Sequence, residues 1–168
     1  ELQFKPKTLS GGDYSFDVKS AGSATLVFQT ILPALLVVGE ESRITLKGGT
    51  HNAWAPSFDF LKDSFFFVLE KMGIKIDSKI NKYGFYPVGN GEIVINIIPP
   101  ENLKPIELLE RGSFKKNEVI AYYSKLDKQI AEDEISIISK LLSLPNDSCY
   151  VKQVTSDGPG NVIVAKSI

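Results

Sequence analysis

The spacing of apolar and polar positions changes period several times along this 168-residue chain, and each change marks a boundary between strand and helix. Residues 2–4 and 14–18 alternate as strands, with turn composition at Gly11-Gly12-Asp13 between them. Residues 23–38 take on helical spacing, with Ser20 or Ser23 as the cap and Pro33 as a candidate kink. Residues 43–47 alternate as a strand and stop at Gly48-Gly49. A second helix is predicted over residues 57–72, with Phe60, Leu61, Phe65, Val68 and Leu69 at helical spacing and Gly73 as its stop. Residues 75–80 and 91–98 are predicted strands around the loop that begins Gly84-Phe85-Tyr86-Pro87.

Residues 1–98 therefore read β-β-α-β-α-β-β, an α/β (α+β) pattern of sheet layers covered by helices. Pro99, Pro100 and Pro105 then break both periodicities and make residues 99–105 the best domain boundary, dividing 1–100 from 101–168. Beyond it, strands are predicted over 107–111, 119–123, 150–154 and 162–165. An amphipathic helix is predicted over 127–144, with Ile130, Ile135, Ile138, Leu141 and Leu142 on one side.

Composition narrows the function classes. Lys and Arg number 19 against 20 Asp and Glu, so net charge gives no direct case for nucleic acid. The apolar run 26–38 is interrupted by Gln29, Thr30 and Pro33 and is shorter than the about 20 residues that span a bilayer. Cys149 is the only cysteine, so no disulfide forms within the chain, and a reducing, cytoplasmic setting is expected.

Two strand-to-helix junctions carry candidate chemistry. In Ser20-Ala21-Gly22-Ser23, a helix N-terminus offers unpaired N–H groups, hydroxyl donors and, at Gly22, room for a close approach by a phosphate or carboxylate. Gln29, two turns further in, either reads a polar ligand edge or is bonded internally; a plain N-cap fits as well. In Gly48-Gly49-Thr50-His51-Asn52, Thr50, His51 and Asn52 add polar groups. His51 is the only histidine and no partner base is identifiable by spacing, so a structural or supporting role is expected. A lone His and a lone Cys give no metal signal. Phe65-Phe66-Phe67 must send at least one ring off the core face.

With these stretches placed, the chain resembles the RNA 3'-terminal phosphate cyclase family. The resemblance rests on an ordered set: Gly11-Gly12-Asp13; Ser20-Ala21-Gly22-Ser23; Gln29-Thr30-Ile31-Leu32-Pro33-Ala34-Leu35; Gly48-Gly49-Thr50 with Ala55, Pro56 and Asp59; Gly84-Phe85-Tyr86-Pro87; Glu110-Arg111-Gly112; and Gly158-Pro159-Gly160-Asn161. Asn90 departs from the family's preferred glycine, and residues 113–155 match only loosely. The resemblance implies a repeated module of a four-stranded sheet with two helices, followed by part of a smaller inserted α/β domain.

It also implies an activity: ATP, with a divalent cation such as Mg, adenylates a histidine. AMP then passes to an RNA 3'-phosphate, and the neighbouring 2'-OH closes a 2',3'-cyclic phosphate. The nucleophilic histidine of the family is expected downstream of this chain, which corresponds to an interior stretch and is expected to be inactive alone. The resemblance assigns nucleotide contacts to Gln29 and Pro56. Ser20, Gly22, Ser23, Asn52 and Arg111 are candidate phosphate or substrate contacts. The alternative is a non-catalytic cyclase-like protein that binds RNA or partners in ribosomal RNA processing, with a nuclear setting if eukaryotic.

Overall fold

The computed structural model describes residues 2, 3, 5 and 8–168. Its first sheet is built from β1 (Gly12–Asp17), β2 (Ser42–Gly48), β3 (Lys75–Lys82) and β4 (Gly91–Ile98), in the order β1-β2-β4-β3. β1 and β2 run parallel, joined by the crossover helix α1 (Ala24–Val38); β4 pairs antiparallel with both β2 and β3. The second helix, α2, covers residues 58–71. The observed order is thus β-α-β-α-β-β, a four-stranded sheet with two helices. The strand expected over residues 2–4 does not form at Leu2 and Gln3, which are exposed coil, and Phe4 lies outside the described residues.

Each element follows from its residues. β4 sits between two neighbours and is buried on both faces, which suits its continuous run Ile93-Val94-Ile95. The β3 edge alternates, with Ile76 and Ile80 packed on the core and lysines outward. Ser23 caps α1 through the Leu26 N–H, and Gly39, at φ 74°, ends it in the left-handed conformation that glycine adopts freely. α1 runs unbroken through Pro33 and buries Ala24, Thr25, Phe28, Leu32 and Leu35. Phe28 meets Phe66 of α2 edge to face, with ring centroids 5.5 Å apart.

α2 departs from its predicted face. Its middle, Leu61–Phe65, is a π-turn, which places an extra residue in the helix. The buried face therefore steps from Leu61 to Phe66 and Leu69, while Phe60 turns outward and Phe65 is only half-buried. Phe67 is the ring of the triplet that leaves the core, and Lys71 Nζ lies 5.2 Å from its centroid.

Residues 99–116 are irregular and mostly exposed; the strand expected over 107–111 is absent because nothing pairs with it or covers it. A second sheet follows: β5 (Asn117–Ser124), β6 (Cys149–Gln153) and β7 (Gly160–Ser167), ordered β6-β5-β7. Helix α3 (Lys128–Leu141) crosses over between the parallel strands β5 and β6, and Asp127 caps it through the Gln129 N–H. α3 buries Ala131 and packs Ile135 on Ala121 and Tyr123, but Ile130, Leu141 and Leu142 stay exposed. Three short strands cover only part of the stripe that the periodicity marked. No helix among the described residues is long and apolar enough to cross a membrane.

Phe28 is fully buried between α1 and α2. Replacing it with Ala is expected to cost about 3–5 kcal/mol in chemical denaturation, whereas Val37→Ala, at an exposed position of the same helix, should stay within about 0.5 kcal/mol.

Candidate functional site

The two junctions singled out in the sequence interlock. Gly49 N–H donates to Gly22 O at 2.7 Å, and Ala24 N–H donates to Gly49 O at 2.9 Å. Asn52 Nδ2 donates to Ala21 O at 2.5 Å. A Cβ on Gly49 would lie 2.2 Å from Asn52 Oδ1 and 2.3 Å from Ala21 O, so only glycine permits this crossing. Gly84 is held the same way, with a Cβ 2.2 Å from Gly48 O. The space that these glycines leave is therefore filled by the chain's own backbone. Gly22 likewise makes room for Val18 rather than for a ligand, with a Cβ 2.7 Å from Val18 Cγ1.

The first turn of α1 is also spent internally. Ser23 Oγ accepts from Leu26 N–H at 3.1 Å and bonds Thr25 Oγ1 at 2.7 Å; Ser20 Oγ accepts from Gly22 N–H at 3.1 Å. With Ala24 N–H on Gly49 O, two of the first three helical N–H groups already have partners within the chain.

A different face of α1 remains open. Thr25 Oγ1 donates to Pro56 O at 2.7 Å, which fixes the start of α2 beside α1. Gln29 lies one turn along the same face, four residues from Thr25. It is half-buried, and its amide makes no hydrogen bond among the described residues. Four residues further on, Pro33 removes the N–H that would otherwise bond the Gln29 carbonyl. Gln29 and Pro56, far apart in sequence, are thus both related to Thr25: Gln29 by one helical turn, Pro56 through its carbonyl.

His51 has a different environment. Gly84 N–H donates to Thr50 Oγ1 at 3.0 Å, which aims the Thr50 hydroxyl hydrogen at His51 Nδ1, 2.8 Å away. In the neutral ring this places the proton on Nε2, which donates to Asp59 Oδ2 at 2.9 Å. The ring is stacked on Tyr83 with centroids 5.0 Å apart, and its side chain has no exposed surface. Both nitrogens are engaged, which makes His51 a supporting residue, in line with its expected role.

Asp59 joins the two sheets. Besides His51, its carboxylate accepts from Tyr122 of β5 at 3.2 Å and faces Lys166 of β7 at 3.4 Å; Lys166 also pairs with Asp63. Burial alone would raise the Asp59 pKa. The hydrogen bond and charge of His51, the charge of Lys166 and the Tyr122 hydroxyl outweigh it and hold the carboxyl below its usual range. Burial and the Asp59 charge push the Tyr83 hydroxyl up to about 12. Sequence reading used Asp59 only as a motif residue. Its partners Tyr122 and Lys166 lie 63 and over 100 positions away, and no spacing rule connects them.

The other candidates fall apart from this centre or at its edge. Asn52 lines the junction, as described. Arg111 is exposed on the irregular segment, away from the described hydrogen bonds of the junction. Among the described residues, no group of three or more His, Cys, Asp or Glu is arranged to hold a metal ion.

Asp59 has a folded pKa below its unfolded value of 3.8. Its stabilisation is therefore complete above that value and is lost as pH falls through the folded pKa. Asp59→Ala should cost about 3–5 kcal/mol near neutral pH, because it strips His51 and Tyr122 of a buried partner. The stability gap between wild type and Asp59→Asn, followed by urea unfolding, should narrow as pH is lowered from about 6 to about 3.

A family model described as RNA 3'-terminal phosphate cyclase matches residues 1–167. Curated relatives bearing that name include proteins of Koribacter versatilis, 43% identical over 164 residues, and Pseudomonas fluorescens, 38% identical over 164 residues. A third, from Ectopseudomonas mendocina, is 36% identical over 166 residues. Each match covers 97% of this chain but 46–48% of the relative, so the chain spans about half the length of the curated relatives it matches. On this match across nearly its whole length, the chain belongs to the RNA 3'-terminal phosphate cyclase family.

Proposed function

We propose that the natural protein carrying this chain converts an RNA 3'-terminal phosphate to a 2',3'-cyclic phosphate at the expense of ATP. In this reading a histidine outside the chain attacks the α-phosphorus of ATP and releases pyrophosphate. The AMP then moves to the RNA 3'-phosphate. Attack by the adjacent 2'-OH forms the cyclic ester and expels AMP. A divalent cation such as Mg would arrive with the ATP phosphates and offset their charge.

The observation that carries this reading is the Gln29–Pro56 face. A half-buried amide with unused hydrogen-bonding capacity, one helical turn from the Thr25 that holds the Pro56 carbonyl, suits the polar edge of a nucleobase. The chain's part is to bind and orient the nucleotide. The Gly22 and Leu26 N–H groups, engaged by the Ser20 and Ser23 hydroxyls, favour a turn that shapes the site over one that seats a phosphate. Arg111 stays a candidate phosphate partner only through its exposure. His51, buried and hydrogen-bonded at both nitrogens, is given a supporting role in this reading. Residues 1–100 would serve as a core module, and 101–168 would open the inserted α/β domain, in a cytoplasmic protein.

With α-labelled ATP, the complete natural protein is expected to form an acid-labile adenylate and to convert an RNA 3'-phosphate end to a phosphatase-resistant one. A folded protein that forms no adenylate would favour a non-catalytic, RNA- or partner-binding member of the family. Gln29→Ala should raise the KM for ATP about fivefold to tenfold, the worth of one hydrogen bond; an unchanged KM rejects the role given to Gln29.

A further inference from the structure

The loops that carry Asn52 and Phe85-Tyr86 meet the start of β7 at Gly160-Asn161, where the two sheets join. Between them lies a cleft of about 420 Å³. Gly160 packs directly under Phe85, where a Cβ would lie 2.4 Å from Phe85 Cγ, and this contact forms the cleft floor. No lysine, arginine, aspartate or glutamate is among its lining residues. Its polar groups are two amides and the hydroxyls of Ser57 and Tyr86, together with the fully engaged His51. Asn161 uses Nδ2 on Glu134 at 2.6 Å, which leaves its Oδ1 as an acceptor. Ser57 Oγ accepts from Phe60 N–H at 3.2 Å, which leaves its hydroxyl hydrogen as a donor.

One exposed aromatic ring lines the cleft, and a second follows a lining residue in the chain. Tyr86 lines the cleft and is 81% exposed; Trp54, next in the chain to the lining residue Ala53, is 96% exposed. Large rings held in water by a folded loop are costly unless something covers them.

We propose that this cleft seats one unpaired base of a single-stranded RNA, with Tyr86 and Trp54 as stacking faces and Asn161 and Ser57 meeting the base edge. The inference rests on the cyclase reading for its choice of ligand. A neutral, aromatic lining selects the base over the phosphate. A cleft of this size takes one nucleoside and not a duplex. Ser57 directly follows Pro56, so a base held here lies one residue from the nucleotide face at Gln29 and Pro56. A strand threaded through the cleft would therefore bring its end toward bound nucleotide.

The test uses the complete natural protein and a fluorescein-labelled single-stranded RNA of about 12 nucleotides ending in a 3'-phosphate, read by anisotropy. Tyr86→Ala and Trp54→Ala should each weaken binding about five- to thirtyfold, the range expected for a lost base stack. Tyr86→Phe and Trp54→Phe should restore affinity to within about twofold, since the ring face is kept. In the same RNA, a 5-iodouridine is expected to photocrosslink to Tyr86 or Trp54. Alanine variants that melt like wild type yet bind RNA within twofold, or crosslinks that map only elsewhere, overturn the proposal. Either result would mean that these rings meet a protein surface instead. A wild-type protein that fails to adenylate rejects the cyclase reading separately, because RNA affinity is measured without ATP.

Discussion

The pair of hydrogen bonds between Gly22 and Gly49 and between Gly49 and Ala24 holds two segments together at van der Waals distance. The other features of the first sheet's functional end follow from that crossing. It sets α1 against the loop after β2, and that placement lets Thr25 reach the Pro56 carbonyl and leaves Gln29 beside it. The crossing works only because neither strand-to-helix junction carries a side chain at its closest point. Glycine richness here is a packing requirement of the backbone.

Asp59 performs the corresponding task between the sheets. A buried carboxylate is tolerated because three groups meet it: an imidazole N–H, a phenol and an ammonium, the last shared with Asp63. The junction around it is aromatic, with His51, Tyr83 and Tyr122 in mutual contact. Backbone pairing extends across it from Tyr83 to Thr155, and Lys82 pairs with Asp157 at 2.9 Å. The second sheet is thus tied to the first by polar and aromatic contacts, and the neutral cleft lies between two loops that this joint brings together.

Particular elements show where sequence reading succeeded and where it stopped. Seven strands and three helices were legible, because alternation and helical spacing were strong and Ser23, Ser57 and Asp127 stood where caps belong. The strand expected over 107–111 had suitable residues but no neighbour to pair with. The buried face of α2 was misphased because a π-turn adds a residue without any mark in the apolar pattern. The α3 stripe was genuine as a pattern but wider than the small sheet beneath it.

By itself the sequence determined the three helices with their starts, seven of the strands and the family, because these depend on local spacing and ordered motifs. The tertiary structure alone decided which polar groups remain open. Hydrogen bonds between distant segments tied the Ser20–Ser23 turn to Gly49 and the Asp59 carboxylate to Tyr122, nearer bonds engaged both nitrogens of His51, and Gln29 was left with unused capacity. Local spacing records which residues can bond; only the folded chain shows which partners they have already found.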